Sequence, residues 1–228
     1  ADGFNLLLER GAVFTHCHYR HSLTKTGPGH AVILSGVHAN EHGIIANDWI
    51  DRTTFERVNC VDDPAERVLG LAATAGGVRR PGDKSAIARS PRNYLVTTVG
   101  HEPTHARAGR PQVIAIANHD RAAALHAGQL PDPAYNTEGA NVVSSTYYLP
   151  ALPAWVEAFN AARKPDAYFG RTWDRLLPAA AYVALQGPDD APGEFTGLGL
   201  GRTFPRTVTG GEDRPGPNFY ETLLHTPF

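Results

Sequence analysis

Val113–Arg121, VIAIANHDR, opens on a bare apolar run and closes on the polar group Asn118–Arg121. Small and β-branched residues without alternation suit a strand buried on both faces of a parallel sheet. In α/β folds ligands sit beyond the carboxyl ends of such strands, which puts Asn118-His119-Asp120-Arg121 where chemistry is expected. An arginine in that position can grip an oxyanion in bidentate fashion, and a plain Asp120–Arg121 salt bridge is the alternative.

The same alternation of strand and helix continues outward in both directions. Asn141–Tyr148 is β-branched and aromatic, and Leu152–Lys164 carries Leu152, Trp155, Val156 and Phe159 on one helical face. Asp2–Arg10 reads as a helix behind an Asp2 cap, stopped by Gly11, and Ala12–Tyr19 reads as a strand. His30–Leu34 is an apolar helical run approached through Gly27-Pro28-Gly29, and Ile44–Trp49 is extended and bears the polar pair Asn47-Asp48. Ser90-Pro91 predicts a capped helix with Tyr94, Leu95, Thr98 and Val99 on one face, ending near Pro103. The expected fold is α/β, a mainly parallel central sheet flanked by helices.

The chain has 228 residues, 42% hydrophobic, with 23 Gly and 18 Pro, so a real core is threaded by many turns. Twenty-one basic against 23 acidic residues leave a net charge of −2, which argues against nucleic acid as the main partner. No apolar stretch approaches the ~18 residues of a membrane span, and no repeat period is present. The sequence starts at Ala1 and contains no Met, so it is expected to be part of a longer chain. Cys17 and Cys60 could form one disulfide, or stand as two free buried thiols.

Three further constellations bear on chemistry. Thr24–His30, TKTGPGH, sets the Thr26 hydroxyl at a helix start, where unpaired N–H groups and the helix dipole favour an alkoxide or a phosphate. The alternative is an ordinary helix cap. His101-Glu102-Pro103-Thr104-His105 matches the HExxH pattern of zinc proteases, but Pro103 sits in the turn that must hold both imidazoles in register, so a solvated helix end is the expectation and a protease the remote alternative. His16, His18, His21, His30, His38 and His42 lie close in sequence, yet their spacing fits no closed zinc pattern, and isolated surface or core histidines are expected.

Taken in order, TKTGPGH (24–30), HGIIANDW (42–49), VNCVDD (58–63), SPRNYLVTTVG (90–100), VIAIANHDR (113–121), SSTYY (144–148) and 152–160 resemble the alkaline phosphatase superfamily. The resemblance is to its threonine-nucleophile periplasmic branch, close to the nucleotide pyrophosphatase/phosphodiesterases, as a segment lacking both ends. It implies zinc-dependent hydrolysis of phosphoric esters through a phosphothreonine on Thr26, with Thr26 also touching metal and Asn47 donating to a phosphoryl oxygen. Arg121 would bind the phosphoryl group. His119 stands where the family's monoesterases carry lysine, which shortens the reach and makes the charge pH-dependent; a phosphomonoester remains the favoured substrate.

The resemblance further implies two zinc ions per complete site with most ligands outside this chain, a small phosphorylated substrate, and a periplasmic or secreted location. Residues 1–164 would belong to the α/β core with inserted loops, and 165–228 would be a loop-rich cap or insertion. The alternative function is a truncated, non-catalytic α/β domain that binds at most an anion.

Overall fold

The computed structural model describes residues 3–71, 87–101, 112–130, 132–193 and 196–228. In chain order the elements are helices α1 (Phe4–Arg10), α2 (Thr26–Ser35) and α3 (Ala39–His42), then short strands β1 (Asp48–Ile50), β2 (Arg57–Asn59), β3 (Asp62–Asp63), β4 (Val68–Leu69), β5 (Ala88–Arg89) and β6 (Ala115–Ala117). Helix α4 (Asp120–Ala127), strands β7 (Ala134–Glu138) and β8 (Asn141–Ser145), and helix α5 (Ala154–Ala161) follow. A 3-10 turn at Lys164–Tyr168, strand β9 (Thr172–Trp173), helix α6 (Ala179–Gln186), strand β10 (Arg206–Thr207) and helix α7 (Pro217–Leu223) complete the chain.

The α/β class stands, and the sheet is mixed. Its four strands run β4-β8-β7-β6, with β6 and β7 parallel and the other two pairings antiparallel. The parallel pair is the one the VIAIANHDR run predicts, but β6 is not buried on both faces. Ala115 is buried while Ile116, pointing to the opposite face of the sheet, is exposed. From β6 the chain turns through Asn118 and His119 directly into α4, so the Asp120-Arg121 pair opens that helix.

Helix α2 begins on Thr26 itself, with Lys25 as the cap residue, and stops where Gly36 adopts a left-handed φ of 73° that closes the helix at no steric cost. Its inner face meets the cluster of Ala31, Ile44, Cys60, Val61, Tyr94, Ala124 and Leu125, which binds α2 to α4. Burial of these side chains is the main attraction holding the two helices together. Polar contacts fix their register: Tyr94 Oη donates to the Ala31 carbonyl at 2.7 Å, and the His30 and His126 rings meet at 2.9 Å.

Three sequence expectations need correction. Ala12–Tyr19 is not a strand; it runs as turns and irregular chain with Val13 and Phe14 exposed, and no strand among the described residues pairs with it. Ser90–Val99 is not a helix, because tertiary acceptors take its amides. Ser90 N donates to Val61 O, Leu95 N to His42 O and Val99 N to Leu34 O, while the Ser90 hydroxyl donates to the buried Asp63 carboxylate at 2.6 Å. The third concerns α1, which forms as expected and ends at Gly11, yet Phe4, Leu7 and Leu8 are exposed, and its anticipated Asp2 cap lies outside the described residues.

The region after residue 164 gathers around a separate cluster of Ala140, Val208, Phe219 and Tyr220, flanked by Phe169, Trp173, Leu200 and Leu223. Its two-stranded β9–β10 ladder and the helices α6 and α7 are joined by long turns, in keeping with the glycine and proline content.

Candidate active site

The start of α2 comes down onto the turn before β1. Gly27 N donates to Asn47 Oδ1 at 2.7 Å. A side chain at position 27 would put its Cβ 3.0 Å from Cys60 Sγ and 3.2 Å from both the Ala46 carbonyl and Asn47 Oδ1, so any larger residue would push these neighbours back by a few tenths of an ångström. Because the Asn47 oxygen accepts from Gly27, the amide's nitrogen end is left to donate elsewhere. Thr26, one residue earlier, is exposed at the N-terminus of a ten-residue helix, with the positive end of the helix dipole behind it.

Arg121 reaches the same place from α4. Its guanidinium lies 3.9 Å from the Asp48 carboxylate and 3.7 Å from Asp120, and its backbone N–H donates to Asp120 Oδ1 at 2.6 Å. Arg121 Nε is buried with no hydrogen-bond partner. Cys60, wholly buried, sits between the two helices: burial pushes its thiol up to about 11, with nearby Arg121 opposing that shift. The thiol is therefore a neutral, inert floor under Gly27 and beside Arg121. Sequence reading quoted VNCVDD but assigned Cys60 no place in the site; its proximity to Gly27 is a tertiary fact with no local signal.

The Asp120–Arg121 pair is not a simple salt bridge. The stronger partner of Asp120 is Arg89, whose Nε donates to Asp120 Oδ2 at 2.6 Å while its Nη1 pairs with Asp62 at 2.7 Å. Burial raises the pKa of Asp62, and Arg89 opposes that shift. Arg89 thus ties β5 to β3 and to the first turn of α4, which leaves Arg121 weakly engaged. A second hub, Asp63, accepts from Ser90 Oγ and from Arg92 Nη1 at 2.8 Å. Thr26, Asn47 and Arg121 are so brought around one corner, and His119 is exposed at the α4 cap position next to it.

The other constellations disperse. His101 is buried in a turn rather than on a solvated helix end, its Nδ1 accepting from Thr98 N at 3.0 Å, and Glu102–His105 lie outside the described residues. Cys17 and Cys60 are both free, but Cys17 is exposed, not buried. His16 and His18 are neighbours, His30 pairs with His126, and His21, His38 and His42 line a cleft.

Residues 1–182 match the family described as Type I phosphodiesterase / nucleotide pyrophosphatase. The chain belongs to this family. Among phosphodiesterase-family relatives, alkaline phosphatase PhoV of Synechococcus elongatus is 34% identical over 183 residues, covering 79% of this chain and 31% of its own length. A Myroides odoratus protein named calcium-transporting ATPase is 31% identical over 229 residues, 99% of this chain and 39% of its own. The crystal structure of wild-type alkaline phosphatase PafA superposes with a TM-score of 0.76 at 30% identity, covering 91% of this chain and 38% of that one. This places the chain in the alkaline phosphatase superfamily, and it spans about a third of the length of these relatives.

The zinc pair that the resemblance implies does not fit the described residues. Among them no three His, Cys, Asp or Glu side chains converge to hold a metal ion, and Thr26 offers one hydroxyl where a zinc site needs three or four protein ligands. No helix among the described residues is long and apolar enough to cross a membrane.

Proposed function

We propose that this chain carries the phosphoryl-binding corner of a phosphoric ester hydrolase, with Thr26 as nucleophile. The observation that supports the reading is the Gly27–Asn47 hydrogen bond, which turns the Asn47 amide nitrogen free beside an exposed Thr26 hydroxyl at a helix N-terminus. Thr26 Oγ1 bonds to phosphorus as the ester P–O bond breaks. The threonine proton passes to solvent, and the departing oxygen takes one up. Water then attacks the phosphothreonine, restoring the hydroxyl and releasing phosphate.

Asn47 Nδ2 and the Arg121 guanidinium receive the charge that grows on the non-bridging oxygens, and Arg121 is suited to this because its carboxylate contacts are long. The substrate is a small phosphate ester, a monoester by preference, with His119 at the rim as the side chain that sets the mono-to-diester ratio. Zinc dependence and export to the periplasm or outside the cell rest on the family resemblance, with metal ligands supplied by residues other than those described here.

The test is Thr26→Ala in the full-length protein, assayed on an aryl phosphate and acid-quenched to trap labelled phosphothreonine. Turnover falls on the order of a thousand-fold or more and the label disappears. Wild-type turnover would remove Thr26 as nucleophile; a full-length wild-type protein that binds phosphate without turning over ester would leave an anion-binding domain.

A further inference from the structure

Six charged side chains form one alternating row through the phosphoryl corner: Arg57, Asp48, Arg121, Asp120, Arg89 and Asp62. The outer links are short. Arg57 Nη2 lies 3.1 Å from Asp48 Oδ2, Arg89 Nε donates to Asp120 Oδ2 at 2.6 Å, and Arg89 Nη1 lies 2.7 Å from Asp62 Oδ1. The two links to the central arginine are long, 3.9 Å from Arg121 Nη2 to Asp48 Oδ1 and 3.7 Å from Nη1 to Asp120 Oδ1. At those separations neither carboxylate hydrogen-bonds to the guanidinium.

Both carboxylates beside Arg121 are held by nearer donors. Asp48 Oδ1 accepts from Asn59 Nδ2 at 3.0 Å, and Asp120 Oδ1 accepts from the backbone N–H of Arg121 at 2.6 Å while its Oδ2 is taken by Arg89. The two arms of the row differ in burial. The Arg89 and Asp120 side chains are 17% and 19% exposed, against 58% for Arg57. Solvent screens the Arg57 link and leaves it weak, whereas the shielded Arg89 link fixes its partners and is disruptive to break. Arg89 is itself set by the backbone, since β5 pairs with β3 and places Arg89 opposite Asp62. With Arg89 taken away, Asp120 keeps the Arg121 guanidinium as an ion-pair partner, and a shift of about 1 Å turns that contact into a charge-assisted hydrogen bond.

We propose that Arg89 is a positioning residue for phosphoryl binding: by holding Asp120 it keeps that carboxylate off Arg121, so the Arg121 guanidinium stays open to the phosphoryl oxygens of the substrate. The inference rests on the reading of Thr26, Asn47 and Arg121 as a phosphoryl corner. Arg57 acts on Asp48 in the same sense but to a smaller degree, because its link is exposed and Asn59 also holds that carboxylate.

The experiment is calorimetric titration of the full-length protein with inorganic phosphate, with a melting temperature recorded for every variant. Arg89→Gln is expected to weaken phosphate binding about tenfold, and Arg57→Gln less than about twofold. Two double variants separate positioning from the plain loss of an ion pair. Arg89→Gln with Asp120→Asn removes the competing carboxylate and restores affinity to within about twofold of Asp120→Asn alone. Arg89→Gln with Asp62→Asn relieves the other orphaned carboxylate but leaves Asp120 to close on Arg121, so affinity stays low. A purely structural role would let both double variants recover affinity along with melting temperature, and that result overturns the proposal. So does unchanged affinity in folded Arg89→Gln, or no recovery with Asp120→Asn. Should Arg89→Gln not fold, Asp120→Asn alone decides: affinity at or above wild type supports the proposal, and lost affinity overturns it. Arg121→Ala separates the two readings. If it binds phosphate as wild type does, the phosphoryl corner itself falls; if it weakens binding while Arg89→Gln does not, only the role of Arg89 falls.

Discussion

Two arginines show how differently the two ends of this chain are built. Arg121 and Arg206 both bury Nε without a partner. Around Arg206 the rest of the guanidinium is covered: it stacks 4.5 Å from the Phe204 ring and 5.5 Å from Trp173, and Nη2 donates to the Arg202 carbonyl at 2.8 Å. Around Arg121, among the described residues, no aromatic ring covers the guanidinium, and Asp48 and Asp120 lie at salt-bridge range of 3.7 to 3.9 Å beside a neutral thiol. The first arrangement satisfies a cation inside the protein. The second holds a cation in place through long carboxylate contacts, and under the proposed function it is this arginine that takes the phosphoryl anion.

The comparison is broken most severely at Asn47. Asn47→Asp keeps the oxygen that accepts from Gly27 and so preserves the helix placement, but it removes the amide donor and adds negative charge where the phosphoryl group should sit. Loss of one such donor costs about a hundred- to a thousand-fold in kcat, and the added charge deepens it. A melting temperature near wild type with collapsed kcat is the expected pair of results. If kcat survives, the amide faces away from the substrate.

Arg206→Ala sharpens the same contrast from the other side. Removing the cation from two rings and one carbonyl lowers stability by about 1 to 2 kcal/mol, read as a reduced melting temperature, with kcat unaltered. A loss of kcat at full stability would join residues 165–228 to the catalytic corner.

The contact between α2, which carries Thr26, and α4, which carries Arg121, is expected to respond to pH. His30 Nδ1 and His126 Nε2 share one proton at 2.9 Å, and burial lowers both pKa values below 6.5, with His30 lowering that of His126 further. The unfolded chain therefore takes up more protons than the folded one as pH falls through 6.5, so stability drops there and levels off once the folded rings also protonate. Above about pH 7.5 the pair contributes no slope. Melting curves from pH 8 to pH 5 should fall less steeply for His126→Gln than for wild type; parallel curves would acquit the pair.

How much of this was legible in sequence depends on whether a residue's partner is near it in the chain. The run Val113–Ala117 announces a strand in a parallel pair, and the β6–β7 ladder bears that out. Thr26 at a helix start follows from Gly27, Pro28 and Gly29. Ser90–Val99 shows the opposite case: its cap and periodicity are locally sound, but Val61, His42 and Leu34 offer acceptors that win over the i to i−4 bonds. Cys60, Asp48, Arg89 and His126 shape the corner only through contacts made across the fold, and neither spacing nor composition marks them. The mixed sheet escapes in part for the same reason, since β4 meets β8 across the fold, Val68 facing Ser145, although the β7–β8 pair is a local hairpin around Gly139-Ala140.

His119 gives the smallest and most specific effect. It is exposed at the α4 cap position, two residues before Arg121, and its imidazole is shorter than lysine's chain. A phosphomonoester carries one more negative charge than a diester at alkaline pH, so a permanent cation at this position should favour the monoester. His119→Lys is expected to raise the monoesterase-to-diesterase ratio by about three- to tenfold, which at ~1.4 kcal/mol per decade is one long-range charge contact rather than a new bond. Stability should not move, because the side chain is exposed. A ratio unchanged by the substitution would turn His119 away from the substrate and leave Arg121 alone to choose between the two esters.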